Sequence, residues 1–308
     1  MMLENSSEEL PFVSVVVCTY NRRGMLEECL ESLFSQSYPK NKYEIIVVDS
    51  SDDANETIGK KYEEKSPVKL KYIIQKPPKG IAAARNLGIE KASGEIVCFI
   101  DDDCIADRCW IAGLVSFFSD KNVGGVGGRI TPYKSNLLLE KYTNTIEEHN
   151  QAKFFYSKKY IITANAAYRK KILQIVGGFD VNLKAFEDVD ISIRIQLKGF
   201  KLKYNPDAVV YHRHLTTLKG LIKQQYFRGI GLANLSKKYP ERYNSTRYLL
   251  RLFLKIAYKL AIYPVTILGI VLREDKILYA SKPLLDVLVS VSNILGIVKG
   301  SISRTCIS

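Results

Sequence analysis

In the first hundred residues, apolar runs rich in β-branched side chains alternate with segments of helical period, and few folds satisfy that order. Residues 13–18, 44–48, 70–75 and 95–100 read as strands, and residues 25–34, 55–64 and 81–91 read as helices. Strand and helix in alternation predict βαβ units and a mostly parallel sheet flanked by helices. In such sheets ligands bind where loops leave the carboxyl ends of the strands. Those positions hold Thr19, Tyr20 and Asn21, then Asp49 with Asp52 and Asp53, then Asp101, Asp102 and Asp103.

Three carboxylates in one turn repel one another, and a hard divalent cation relieves that repulsion through oxygen ligands. In isolation an acidic triplet reads as a solvated turn, but a buried-type strand delivers this one. Asp49 has two readings, a ligand in a pocket or a turn-capping acid in a Ser- and Asp-rich loop. Lys79 and Gly80 precede the helix that carries Arg85 and Asn86, so a basic group and a helix N-terminus face the side where a phosphate would sit. Equally, Arg85 and Asn86 would tie that helix to the acidic loops. The glycines from Gly124 to Gly128 do not open a helix as a dinucleotide loop requires, and read as a strand bend.

Residues 15–21, 46–53, 80–88 and 99–103, followed by Asn165, the run from Gly177 to Asp180, Glu187 with Asp188, and residues 206–212, resemble the successive motifs of family 2 glycosyltransferases. The resemblance covers roughly residues 11 to 230 and implies the GT-A fold, a Rossmann-like sheet, and inverting transfer from a nucleotide diphosphate sugar. It implies that Thr19, Tyr20 and Asp49 line the nucleoside pocket, and that Asp101 lies towards the ribose with Asp102 beside it. Asp103 would bind Mg²⁺ or Mn²⁺ with His212, His214 being a second choice on the same strand face. Lys79, Arg85, Asn86 and Asn165 would be substrate contacts. Asp188 would be the general base that deprotonates the acceptor hydroxyl, Glu187 would position the acceptor or the loop, and Asp190 with Arg194 would form a structural pair. Ser50 and Ser51 depart from the family pattern, which often has a second Asp and a Gly there. The segment from Tyr226 to Gly231 resembles the aromatic and glycine stretch that closes the acceptor side.

The chain has 308 residues and net charge +13, and the charge is uneven: residues 1–212 carry 29 Lys+Arg against 28 Asp+Glu, residues 213–308 carry 16 against 4. A basic segment interleaved with Leu, Ile, Val and Tyr points to an anionic membrane surface rather than nucleic acid. Residues 1–10 lack the pattern of a secretory signal, and the six cysteines include no CxxC pair, so a reduced, cytoplasmic setting at the inner face of the membrane is expected. We expect a catalytic domain over residues 11–240 and a basic, hydrophobic helical segment over 241–308. In that segment Arg247, Arg251, Lys255 and Lys259 recur every four residues and would stack on one helical face. The uncharged runs 260–272 and 287–298 fall short of the ~20 residues that span hydrocarbon, which favours an interfacial helix or shallow hairpin.

Two other function classes remain open at this point, a nucleotidyltransferase that makes nucleotide sugars and a non-catalytic membrane-recruited binding protein. The first would carry a Gly-rich basic loop directly after the first strand, where this chain has Thr19 to Arg23. The acceptor is expected to be a hydroxyl of a lipid-linked or cell-surface glycan.

Overall fold

The computed structural model describes residues 10–134, 136–146, 150–268 and 275–303. His149, expected to be exposed, and Cys306 lie outside the described residues. The first part of the chain runs β1 (Val13–Thr19), α1 (Arg23–Phe34), β2 (Tyr43–Asp49), α2 (Glu56–Lys65), β3 (Lys69–Ile74), α3 (Ile81–Lys91), β4 (Ile96–Asp101), β5 (Cys104–Ala106) and α4 (Trp110–Val115). There follow β6 (Val123–Pro132), α5 (Leu138–Thr145), α6 (Gln151–Lys158), β7 (Asn165–Arg169), α7 (Lys170–Ile175), α8 (Glu187–Leu197) and β8 (Lys201–His212). Three helices close the chain, α9 (Leu218–Lys238), α10 (Ser245–Leu268) and α11 (Lys276–Ile302).

The described chain divides into two compact units: one takes in residues up to Thr131, Gln151–Phe179 and Ile191–Tyr211, the other Pro132–Asn150, Asp180–Asp190 and the residues from His212 onwards. The first is built on an eight-stranded sheet in the order β3-β2-β1-β4-β7-β6-β8-β5. Strands β3, β2, β1 and β4 are mutually parallel, as the alternation predicts. Beyond β4 the sheet turns antiparallel, because β7 pairs antiparallel with both β4 and β6.

The continuous apolar strands follow from burial on both faces. Val13, Val15, Val17, Ile45 and Val47 join Leu26, Leu30 and Leu33 of α1 in one core. Their neighbours Val16, Ile46 and Val48 point the other way, to Ala82, Ala84 and Ile89 of α3. The glycine run lies inside β6 and makes room for neighbours: a Cβ on Gly125 would meet the Tyr168 ring at 2.7 Å, and one on Gly128 would meet Ala208 O at 2.2 Å.

In the second unit Tyr142 of α5, Leu221 of α9 and Leu285 and Val289 of α11 share a small core, and Ala233, Leu252 and Ile297 form another. The basic repeat on α10 does not present one face to solvent. A residue turns about 100° in an α-helix, so a four-residue repeat drifts about 40° at each step. Arg247 and Arg251 are exposed, whereas Lys255 and Lys259 have rotated inward, 3.4 and 3.0 Å from the buried Asp286 of α11. The 27-residue α11 also extends well beyond the apolar run 287–298, and its best window reaches a mean hydropathy of 1.5; by length and composition it is the one described helix able to cross a membrane.

Candidate active site

Register places the expected residues side by side. Thr19 pairs with Asp49 across β1 and β2, and Cys18 pairs with Asp101 across β1 and β4, so three strands end together at one edge of the sheet. Asn21 binds the loops after β1 and β2 to each other: its amide exchanges hydrogen bonds with the Asp52 carboxylate and backbone N–H at 2.8 and 3.0 Å. Its φ of 55° is in the left-handed region that Asn tolerates better than most residues. A narrow cleft here is lined by Thr19, Arg23, Asp49, Ser51 and Tyr62 among others.

Asp49 is buried, accepting from the Ser51 N–H at 2.7 Å and from the Tyr72 hydroxyl. Burial first, and the Asp49 hydrogen bond second, push the Tyr72 phenol far above its ordinary pKa, so it remains a donor. Each carboxylate oxygen accepts more than one bond. The turn-capping and pocket readings of Asp49 are therefore compatible.

The acidic triplet is divided among partners. Asp101 faces Arg85 at 3.1 Å, Asp102 accepts from Thr19 Oγ1 at 2.8 Å and from Arg22 at 3.0 Å, and Asp103 meets the same Arg22 nitrogen at 2.7 Å. Burial above all, with neighbouring carboxylates, pushes Asp102 and Asp103 each up to about 6; Arg22 acts in the opposite direction. Two guanidiniums thus face three carboxylates. The residual strain of packed negative charge is what a divalent cation relieves, and carboxylate oxygens are the hard donors that Mg²⁺ and Mn²⁺ take, so the donor set fits such an ion.

Other expected contacts have structural positions. Arg85 is 5% exposed, committed to Asp101 and lying over the Phe179 ring at 5.6 Å. Asn86 donates to Phe179 O at 2.8 Å and accepts from Phe179 N at 2.7 Å. A Cβ on Gly178, whose φ is +70°, would stand 2.6 Å from that amide. Of the two readings for Arg85 and Asn86, the geometry favours the tie. Asn165, expected to touch substrate, is fully buried: its Oδ1 accepts from Trp110 Nε1 at 2.8 Å and its Nδ2 donates to the carbonyls of Arg129 and Ala208, both at 2.9 Å. Three partners from three segments make this amide a crosspiece within the buried structure. Lys79 and Tyr20 are exposed.

In the second unit, Glu187 and Asp188 open α8 after Phe186, whose φ of +65° is uncommon for an aromatic residue. α9 braces that turn. A Cβ on Gly231 would stand 2.7 Å from Ala185 O, and Asp190 accepts from Tyr239 Oη and faces Lys238, each at 2.8 Å. Burial lowers the Lys238 pKa, but its bonds to Asp180 and Asp190 outweigh burial and hold it above the ordinary value. His212 ends β8, and His214 lies just past the strand with its ring centroid 5.8 Å from that of His212. Burial first, then His212, lower the His214 pKa to about 4, which keeps that imidazole neutral.

Sequence reasoning missed Arg22, Tyr72, Lys238 and Tyr239. Arg22 had a signal, since it belongs to the loop that follows β1. The others act across 23 to 58 residues of sequence, which no local pattern reports.

The model of the glycosyl transferase family 2 matches residues 14–177, and that of glycosyl transferase family group 2 matches residues 96–296. The glycosyltransferase AglE of Haloferax volcanii is 33% identical over 226 residues, 72% of this chain and 73% of that protein. A glucosyl-dolichyl phosphate glucuronosyltransferase of the same organism is 26% identical over 250 residues, covering 74% of this chain and 79% of its own. Among solved structures, the mannosyltransferase PcManGT from Pyrobaculum calidifontis, in complex with GDP-Man and Mn²⁺, superposes with a TM-score of 0.66 at 22% identity, over 92% of this chain and 87% of that one, a likeness of fold. With the family model matching more than half of its length and AglE a third identical over most of it, this GT-A chain belongs to glycosyl transferase family 2.

Proposed function

We propose that the protein transfers a sugar, with inversion, from a nucleotide diphosphate sugar to an acceptor hydroxyl on a lipid-linked or cell-surface glycan. The observation that carries this reading is the common ending of β1, β2 and β4, which brings Thr19, Asp49 and the triplet Asp101 to Asp103 to one edge. Thr19, Tyr20 and Asp49 receive the nucleoside, and Asp101 and Asp102 face the donor's ribose and phosphates. Asp103 and His212 are assigned to a divalent cation, Mg²⁺ or Mn²⁺, which when bound would supply charge neutralisation at the departing diphosphate. Lys79, exposed before α3, adds positive charge for the phosphates.

Inversion needs a base opposite the leaving group. Asp188 takes the acceptor proton, and Glu187 orients the acceptor. Among the relatives, the enzyme named for a glucosyl-dolichyl phosphate acceptor supports a lipid-linked acceptor here. We assign residues 11–240 to catalysis and 241–308 to association with the inner face of the cell membrane, where exposed cations such as Arg247 and Arg251 meet an anionic leaflet. The test is to incubate the full chain with Mn²⁺ and a panel of nucleotide sugars, and to follow nucleoside diphosphate release. Release from one donor, abolished by chelation, is the expected result; release of pyrophosphate from a nucleoside triphosphate plus a sugar phosphate would replace this reading with nucleotidyl transfer.

A further inference from the structure

Helices of water-soluble proteins turn apolar residues inward and charge outward. Along much of α10 and α11 the reverse holds, with Arg247, Arg251 and Lys299 among the exposed exceptions. On α11 the exposed residues Leu284, Leu288, Val291, Leu295, Val298 and Ile302 recur at alternating intervals of four and three, so they share one face. That stripe is about 27 Å long at 1.5 Å per residue, close to the ~30 Å thickness of bilayer hydrocarbon. On α10, Leu250, Phe253, Leu254, Tyr258 and Leu260 are each 54–62% exposed. Single exposed leucines mean little, but apolar faces of this length on two successive helices are rare on a soluble surface.

The inward side carries the polar groups, and they are matched. Asp286 accepts from Tyr142 Oη at 3.0 Å and faces both Lys255 and Lys259. Asn293 donates to Gln225 Oε1 at 2.8 Å, and Ser292 donates to Ile222 O at 2.7 Å. Ionisable side chains in lipid-embedded helices behave in this way, turning to the protein interior and pairing there. α11 meets α9 through small residues: a Cβ on Gly296 would collide with Tyr226 O at 2.0 Å, and one on Gly229 with Asn293 O at 2.3 Å. Close backbone approach through small residues is how helices associate where water does not drive them together.

We infer that α10 and α11 seat their outward faces in the hydrocarbon of a lipid bilayer, so that apolar insertion rather than headgroup charge holds the protein to the membrane. The inference rests on the membrane-associating reading of residues 241–308 and is independent of the sugar chemistry. Two of the four repeating cations face the single carboxylate of Asp286, which draws both towards the protein and away from headgroups. The occupant is lipid rather than a second copy of the chain, because the stripe on α11 matches hydrocarbon thickness and is made of apolar residues, with the exposed Lys299 beside it only near its C-terminal end.

The test is flotation of the purified full chain with neutral phosphatidylcholine vesicles in about 1 M NaCl, where electrostatic screening acts over ~3 Å. The wild type and Arg247→Gln/Arg251→Gln should float with the vesicles, and Leu288→Glu/Leu295→Glu should stay at the bottom of the gradient. Both leucines are exposed, so the double variant should keep its circular dichroism spectrum and its affinity for a nucleotide-sugar donor by calorimetry. A wild type that fails to float in high salt overturns the inference, as does a double variant that floats as well as wild type. A discrete lipid-free dimer that the double variant abolishes would place a second copy on this face instead. Donor affinity, read separately, shows whether the transferase reading stands whatever the flotation result.

Discussion

Replacing Asn165 with Ala separates a structural amide from a substrate contact. The side chain satisfies three buried partners, the Trp110 indole N–H and the carbonyls of Arg129 and Ala208. Truncation orphans all three in a fully buried place. A buried polar group left without its bond costs roughly 1–3 kcal/mol, so with partial relaxation the variant should lose about 3–6 kcal/mol of stability. The neighbouring Gly128 has no side chain to fill the gap. Urea unfolding followed by tryptophan fluorescence is suited to the measurement, because Trp110 is the only tryptophan in the chain and sits beside the lesion. At low temperature, where the variant remains folded, donor affinity should match the wild type. A loss of less than about 1 kcal/mol, together with donor affinity weakened more than about tenfold, would refute the reasoning and return Asn165 to the binding site.

Three further substitutions address the chemistry. Asp103→Ala should abolish Mn²⁺-dependent donor binding in titration calorimetry while leaving the thermal transition in place; unchanged affinity would remove Asp103 from the ligand set. Asp188→Asn should bind donor normally and slow turnover by about 10²–10⁴, the range for a lost general base, so near-normal turnover would assign the base elsewhere. Gly231→Ala forces a Cβ to 2.7 Å from Ala185 O, displacing the turn ahead of Glu187 and Asp188. Its turnover should fall by up to about 10² at unchanged donor affinity, as small misplacements do, and full activity would show that α9 does not set that turn.

The parallel half of the sheet was legible because strands buried on both faces spell continuous apolar runs, and their carboxyl ends marked Thr19, Asp49 and Asp101 to Asp103 in advance. The antiparallel half was not. β7 is a five-residue strand, Asn165–Arg169, whose insertion between β4 and β6 is decided by packing of Tyr168 against the β6 glycines rather than by any local period. Asn165 was assigned to substrate through the family resemblance alone, and its structural partners lie 36 to 55 residues away in sequence. Arg22 was visible as a residue but not as the counter-ion shared by Asp102 and Asp103, a role that exists only once the first and fourth strands are adjacent. The four-residue repeat from Arg247 to Lys259 was visible too, yet a straight stripe ignores the drift of each step around the helix. That drift turned Lys255 and Lys259 inward and left leucines facing out.

The central claim is donor cleavage by transfer at the edge formed by β1, β2 and β4. Its most direct measurement is nucleoside diphosphate release by the full chain in lipid vesicles with Mn²⁺, nucleotide sugars and a lipid-phosphate-linked acceptor, compared with Asp103→Ala and Asp188→Asn. The account predicts release from one donor, matched mole for mole by acceptor glycosylation with inverted anomeric configuration and lost in both variants. Release that both variants retain, or a product with retained configuration, would contradict it.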